Sequence, residues 1–304
     1  MKRIAKYCRG LMVACILLSP ADTLAQGRNA AEILRTLPLD SLSGAITVYY
    51  SPGHAERARA LQPWYGGALA HYRQMFAGDS ALTLTTSLAI LEPGHWSAFT
   101  PMPYGVPHID FTGWPHLIAA LPAANDSGLM ADVWRNLGLT SSVELARVVD
   151  VIGFHEFGHS LNVQYLYVLA PETEEELSVH WFDEFMATYF GQGYLWHTEG
   201  LDADPIRAEL VASLAPRSTT LVEFDEHYSQ LFLTPEGFAN LGWYQTQFAE
   251  RAREVFAKQG LEFIRRVRDE LPWDRYAEWD TDDLLQWLER IEPGFVAWAQ
   301  ALGR

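Results

Sequence analysis

The spacing of hydrophobic and polar residues changes near residue 143, and this change divides the chain into a sheet-containing half and a helical half. In the first half, residues 45–50 (AITVYY) and 81–91 (ALTLTTSLAIL) alternate apolar and polar positions, as half-buried strands do. Residues 55–76 between them have helical spacing, with a kink expected at Pro63. The stretches HWSAFTP and VPHIDF also favour extended chain.

From residue 143 onward, apolar residues recur every three or four positions, which predicts a succession of helices. LTPEGF marks the clearest helix start, with Thr234 as the N-cap and Pro235 at the first helical position. The predicted helices cover residues 143–168, 174–191, 204–215, 236–258, 260–270, 281–291 and 294–302. Together the two halves predict an α+β protein, with a small mixed sheet and helices in a subdomain at 26–142 and a helical subdomain at 143–304.

The first 25 residues have the composition of a secretory signal peptide. A region with four basic residues precedes the short apolar run GLMVACILL, and TLA ends the segment with small residues. The apolar run is too short to span a bilayer, so we expect cleavage near Ala25 and export to the periplasm or the medium. A lipid anchor at Cys15 is the alternative.

Composition and charge narrow the classes of function. The chain has 304 residues and 49% hydrophobic content, enough for one large domain or two small ones with a hydrophobic core. Its formal net charge is −16, and an acidic surface repels phosphate backbones, so nucleic acid is not an expected partner. Both cysteines, Cys8 and Cys15, lie in the leader, so the exported chain would have no thiol nucleophile.

The segment HEFGH, residues 155–159, is the strongest candidate for chemistry. His155 and His159 are four positions apart and project from one face of a helix, continuing the apolar stripe of Val148 and Ile152. Burial of two imidazoles and Glu156 on that stripe is costly unless a partner satisfies them. A zinc ion would do so and would leave Glu156 beside an open coordination position. The alternative is a helix that carries these polar residues by coincidence.

The third ligand distinguishes the classes of zinc enzyme. Metzincins require a glycine and a histidine at positions that Asn162 and Tyr165 occupy here, and the Gly-Thr dipeptide of aspzincins is missing from the sequence. Glu184, in HWFDEFMATYF, lies 25 positions after His159 on a second predicted helix, on one face with small residues. His180, on the same face, is the alternative ligand.

At these residues the chain resembles the gluzincin zinc metallopeptidases of the MA clan. The D-E-x-x-A context of Glu184 is similar to the N-E-x-x-A of compact, single-domain relatives of the M1 aminopeptidase group, over about residues 45–271. The resemblance implies a zincin-like fold in which both subdomains form one catalytic unit, with one zinc ion per chain bound by His155, His159 and Glu184. It also implies hydrolysis of peptide or protein substrates by a zinc-activated water, with Glu156 as general base.

The chain departs from the family pattern around these ligands. The G-A-M-E-N motif of the aminopeptidases is missing, and Thr188 stands where thermolysin-like enzymes have an aspartate. The residues that support the ligands or line the cleft are therefore expected among Asn162, His180, Asp183 and Tyr228.

The resemblance also implies a downstream tyrosine or histidine that stabilises the oxyanion. Tyr244, in LGWYQTQF, is the first candidate, with Tyr228 and His227 as rivals. The stretch Gly94–Gly105 is expected to form an edge strand, either lining a peptide-binding cleft or simply ending the sheet.

Two other functions stay open. One is an exported binding or scaffold protein with a structural or degenerate zinc site, and the other is a zinc hydrolase of non-peptide amides.

Overall fold

The computed structural model describes residues 30–78, 84–100, 102–110, 117–124, 127–136, 138, 141–166, 179–201, 218–232 and 234–303. The predicted signal peptide and the predicted helix at 204–215 lie outside the described residues. The chain divides between Gln164 and Tyr165 into two compact units.

The described part of the first unit contains a mixed sheet with the strand order β1-β2-β3-β5-β4. Its strands are β1 (Asp40–Leu42), β2 (Thr47–Tyr50), β3 (Thr86–Leu91), β4 (His108–Asp110) and β5 (Leu117–Pro122). Strands β2, β3 and β5 run parallel, and β1 and β4 pair antiparallel at the two edges. The strands predicted at 45–50 and 81–91 are confirmed as β2 and β3, and the extended chain predicted in VPHIDF is confirmed as β4.

Helices connect and cover these strands. They are α1 (Ala30–Thr36), α2 (Ala55–Met75), α3 (Pro93–Phe99), α4 (Leu129–Asn136) and α5 (Ser142–Tyr165). Helix α2 continues through Pro63, and residues three or four apart along it, such as Leu61, Tyr65, Leu69 and Tyr72, are buried. This periodic burial is what the sequence pattern predicted for the segment.

The predicted edge strand at Gly94–Gly105 is wrong, because this stretch begins with helix α3. Pro93 occupies the first turn of α3, where its missing N–H costs nothing. Trp96 and Phe99 lie three positions apart and are both buried in a cluster with Leu34 and other apolar residues. Aromatic residues at this spacing share one face of a helix, whereas in a strand they would point to opposite faces.

The described part of the second unit is helical. It contains α6 (His180–Glu199), α7 (Leu221–His227), α8 (Pro235–Gln259), α9 (Glu262–Glu270), α10 (Thr281–Ile291) and α11 (Phe295–Leu302), with 3-10 turns at Tyr228–Phe232 and Tyr276–Glu278. The predicted helices at 236–258, 260–270, 281–291 and 294–302 are confirmed. Of the helix predicted at 174–191, residues 174–178 lie outside the described residues; the observed helix begins at His180, after the N-cap Val179, and extends further, to Glu199.

The observed elements confirm the α+β class, with a mixed sheet in the first unit. Helix α7 was not predicted, although the sequence contains its capping box: Thr220 Oγ1 accepts from the Glu223 N–H, and the Glu223 carboxylate accepts from the Thr220 N–H. Among the described residues, no helix combines the length and the apolar character that a bilayer crossing needs.

Candidate metal centre

Two histidine side chains lie one turn apart on helix α5. The Nε2 atoms of His155 and His159 are 3.1 Å apart, and the ring planes are nearly perpendicular. His159 is 7% exposed and His155 is half-buried. Two nitrogens bound to one tetrahedral zinc ion at about 2.0–2.1 Å lie about 3.4 Å from each other. The pair therefore has nearly the separation that a shared ion requires.

Polar contacts fix helix α5 within the first unit. Arg57 of α2 donates from Nη2 to Asp150 Oδ1 at 2.7 Å and from Nε to the Pro122 carbonyl of β5 at 3.0 Å. The Tyr65 hydroxyl donates to the main-chain carbonyl of Asp150 at 3.0 Å. A Cβ atom at Gly153 would collide with the Tyr65 hydroxyl and with a β5 side chain, so glycine permits this close approach. These contacts set the position from which the histidines project.

Glu156 follows His155 directly and is half-buried. Burial raises the pKa of Tyr65 well above its ordinary value, and the negative charges of Asp150 and Glu156 raise this pKa further. The Tyr65 phenol therefore remains protonated and continues to donate its hydrogen bond to α5.

The carboxylate of Glu184 is held within the second unit. Glu184 lies on α6 and is 4% exposed. Its Oε1 accepts from the Tyr228 hydroxyl at 2.5 Å, and its Oε2 accepts from Gln245 Nε2 at 2.5 Å. A buried carboxylate needs such donors, because burial of an unsatisfied charge is strongly unfavourable.

His155, His159 and Glu184 form a group that can hold a metal ion. One ligand atom from each residue lies within 4.8 Å of the other two. The donor set is two imidazole nitrogens and one carboxylate oxygen, a combination typical of catalytic zinc sites. The three ligand residues that the sequence predicted are therefore brought together.

The alternative ligand, His180, lies outside this group. Its ring stacks on the ring of Tyr228, with centroids 4.3 Å apart and planes 9° apart. His180 therefore contacts the residue that donates to Glu184.

The remaining predicted site residues occupy different environments. Asn162 is fully buried on α5, and Asp183 is half-buried on α6. Tyr244 is buried on α8 and donates its hydroxyl to the Thr220 carbonyl at 2.7 Å, at the start of α7. Burial raises the pKa of Tyr244 to about 12. Its assignment as oxyanion stabiliser stays a prediction.

Gln245 contacts Glu184 but was not among the predicted site residues. It directly follows Tyr244 on α8, and nothing in its spacing distinguishes it from other polar residues of that helix. Only its contact with Glu184 identifies it.

No protein-family model, curated protein or solved structure matches this chain. A functional conclusion therefore has to rest on the residues of the group themselves.

Proposed function

We propose that the chain is an exported, zinc-dependent metallopeptidase of the gluzincin type, with a zincin-like catalytic fold. The observation that carries this proposal is the approach of the His155, His159 and Glu184 ligand atoms, with Glu156 next in the chain to one of the ligands. A purely structural metal site has no need of a carboxylate at that position.

The donor set favours zinc over calcium and magnesium. Calcium and magnesium prefer six or more oxygen ligands, whereas zinc accepts imidazole nitrogen and carboxylate oxygen in a tetrahedron. Three protein ligands would leave the fourth position for water or substrate. When bound there, zinc supplies a Lewis acid that polarises a carbonyl group and lowers the pKa of water.

The residues of the chain would supply binding and proton transfer. The neutral imidazoles of His155 and His159 and the carboxylate of Glu184 would bind the ion. The carboxylate of Glu156 would take a proton from the attacking water and pass it to the nitrogen of the leaving amine. The net effect is addition of water across one amide bond of a peptide or protein.

Replacement of Glu156 by glutamine tests the proposal. We expect Glu156→Gln to bind one zinc ion per chain like the wild type and to cleave peptides about 10²–10⁴-fold more slowly, because the amide cannot accept the proton. Zinc content is measured by mass spectrometry after reconstitution of metal-free protein, and cleavage is measured with a peptide library.

The matched control is Glu144→Gln, which makes the same chemical change at an exposed position of α5 and should leave both measurements unchanged. Glu184→Ala should lose zinc. A reconstituted wild type without zinc would refute the metal site. Zinc without cleavage of any peptide would refute the peptidase and favour a structural site, and cleavage of non-peptide amides alone would change the substrate class.

A further inference from the structure

Both oxygen atoms of the Glu184 carboxylate are already engaged by donors from two other elements of the second unit. Tyr228 comes from the 3-10 turn after α7, and Gln245 comes from α8. Each donor contacts a different oxygen, so together they fix both the position of the carboxylate and the rotation of its plane.

The first donor is itself held in place. The Tyr228 ring is stacked on His180, one turn before Glu184 on the same helix. On another side it contacts the Phe224 ring, with centroids 5.5 Å apart. The phenol therefore has little freedom to turn away from Glu184.

The second donor comes from a helix that packs along α6. The ring of Phe256 on α8 contacts two rings on α6. Its centroid lies 6.2 Å from that of Tyr189 and 5.5 Å from that of Trp196. Gly193 of α6 lies close to Phe256 as well, where a Cβ atom would be in ordinary van der Waals contact with that ring. This packing sets the distance between the α8 and α6 backbones, and with it the reach of Gln245.

Both donors are uncharged, which matters for a ligand. A cation in their place would neutralise Glu184 and compete with a metal ion for the carboxylate. A hydroxyl and an amide N–H donate to the buried oxygens without placing a positive charge beside the group. A carboxylate oxygen has two lone pairs, so accepting one hydrogen bond does not by itself prevent it from binding a metal ion.

We propose that Tyr228 and Gln245 are positioning residues that hold Glu184 in its ligand orientation before a metal ion binds, and so set the metal affinity of the group. This inference rests on the proposed function only in taking Glu184 as a metal ligand. Partners that orient a ligand in this way typically change metal affinity about 10–100-fold when they are removed.

The test compares Tyr228→Phe, Gln245→Met and the double variant with the wild type. Zinc affinity is measured at one fixed pH by competition with a chromophoric chelator, and cobalt(II) is bound in place of zinc to record its visible absorption. We expect each single variant to bind zinc about tenfold more weakly and the double variant about 100-fold more weakly. The intensity of the cobalt band should change, since it depends on ligand geometry.

The matched control is Tyr189→Phe. It removes one hydroxyl from a buried tyrosine on α6, and with it the hydrogen bond that this hydroxyl donates to the Gly260 carbonyl at 2.6 Å. Its stability should fall while its zinc affinity and cobalt spectrum match the wild type. Circular dichroism identifies any variant that fails to fold, and the remaining single variant then decides the result.

Wild-type affinity and spectrum in both single variants and the double variant would overturn the inference, even if all three were less stable. Failure of the proposed function is distinguishable from this result. A wild type that binds zinc through Glu184 but cleaves no peptide refutes the peptidase alone, whereas peptide cleavage with unchanged affinity in the variants refutes the positioning role alone. A wild type that binds no zinc refutes both.

Discussion

Asp225 carries a charge that folding has to bury, and its removal should change how stability depends on pH. The side chain, on α7, accepts from the Trp181 N–H at 3.0 Å through Oδ1 and from the Thr281 hydroxyl at 2.6 Å through Oδ2. Burial raises the pKa of Asp225 to about 6, although these two hydrogen bonds and the nearby His180 lower it. Desolvation therefore outweighs the stabilising contacts.

The size of the effect follows from the difference between the two pKa values. The ordinary pKa of aspartate is 3.8, and each unit of difference corresponds to about 1.4 kcal/mol, so the total is about 3 kcal/mol. Because the folded-state pKa is the higher one, protonation favours the folded state. This contribution to the free energy of unfolding is fully present below about pH 3.8 and is lost as the pH rises through about 6. As the pH falls from 7.5 to 4.5, Asp225 alone should add about 2 kcal/mol to the free energy of unfolding.

The assay is urea unfolding of the wild type and Asp225→Asn at several pH values from 4.5 to 7.5, with a chelator present so that metal binding does not contribute. Other carboxylates titrate in both proteins, so the difference between the two profiles isolates Asp225. We expect the wild type to gain about 2 kcal/mol relative to the variant as the pH falls. Parallel profiles would show that burial of Asp225 is not the dominant influence on its pKa.

Two further substitutions test local contacts by urea unfolding. Arg57→Met should cost about 3 kcal/mol, because Asp150 is 9% exposed and would lose its guanidinium partner at 2.7 Å. Combining it with Asp150→Leu should recover part of that loss of stability. A double variant whose loss equals the sum of the losses of the two single variants would contradict a direct ion pair. Thr220→Ala should cost about 1 kcal/mol by removing the α7 N-cap, and a stability equal to that of the wild type would show that the cap is dispensable.

Much of the helical half follows from local pattern. The start of α8 needed only Thr234 and Pro235, and Thr234 Oγ1 does accept from the Gly237 N–H at 3.0 Å. The order of apolar residues likewise predicted α10 and α11 to within one residue. These features depend on contacts within one or two turns, which the sequence contains in full.

Helix α3 shows where the pattern is ambiguous. HWSAFTP is too short for its periodicity to separate a strand from one or two turns of helix, and its aromatic content favours extended chain. The stretch becomes helical because Trp96 and Phe99 can then share one apolar cluster, and because the Trp96 indole donates to the Met102 carbonyl at 2.7 Å. The packing that decides between the two conformations comes from other segments.

The same division applies to the metal group. The sequence predicted that His155 and His159 share one helix face, because helix geometry relates residues four positions apart. It also predicted, from the spacing of apolar residues, that Glu184 lies on a second helix. Only the tertiary structure brought the Glu184 carboxylate near the histidines and placed the Tyr228 hydroxyl and the Gln245 amide on its two oxygens. Those donors lie 44 and 61 positions away along the chain, and no local periodicity relates residues so far apart. Their approach depends on how whole helices pack, which is decided by the burial of many side chains at once.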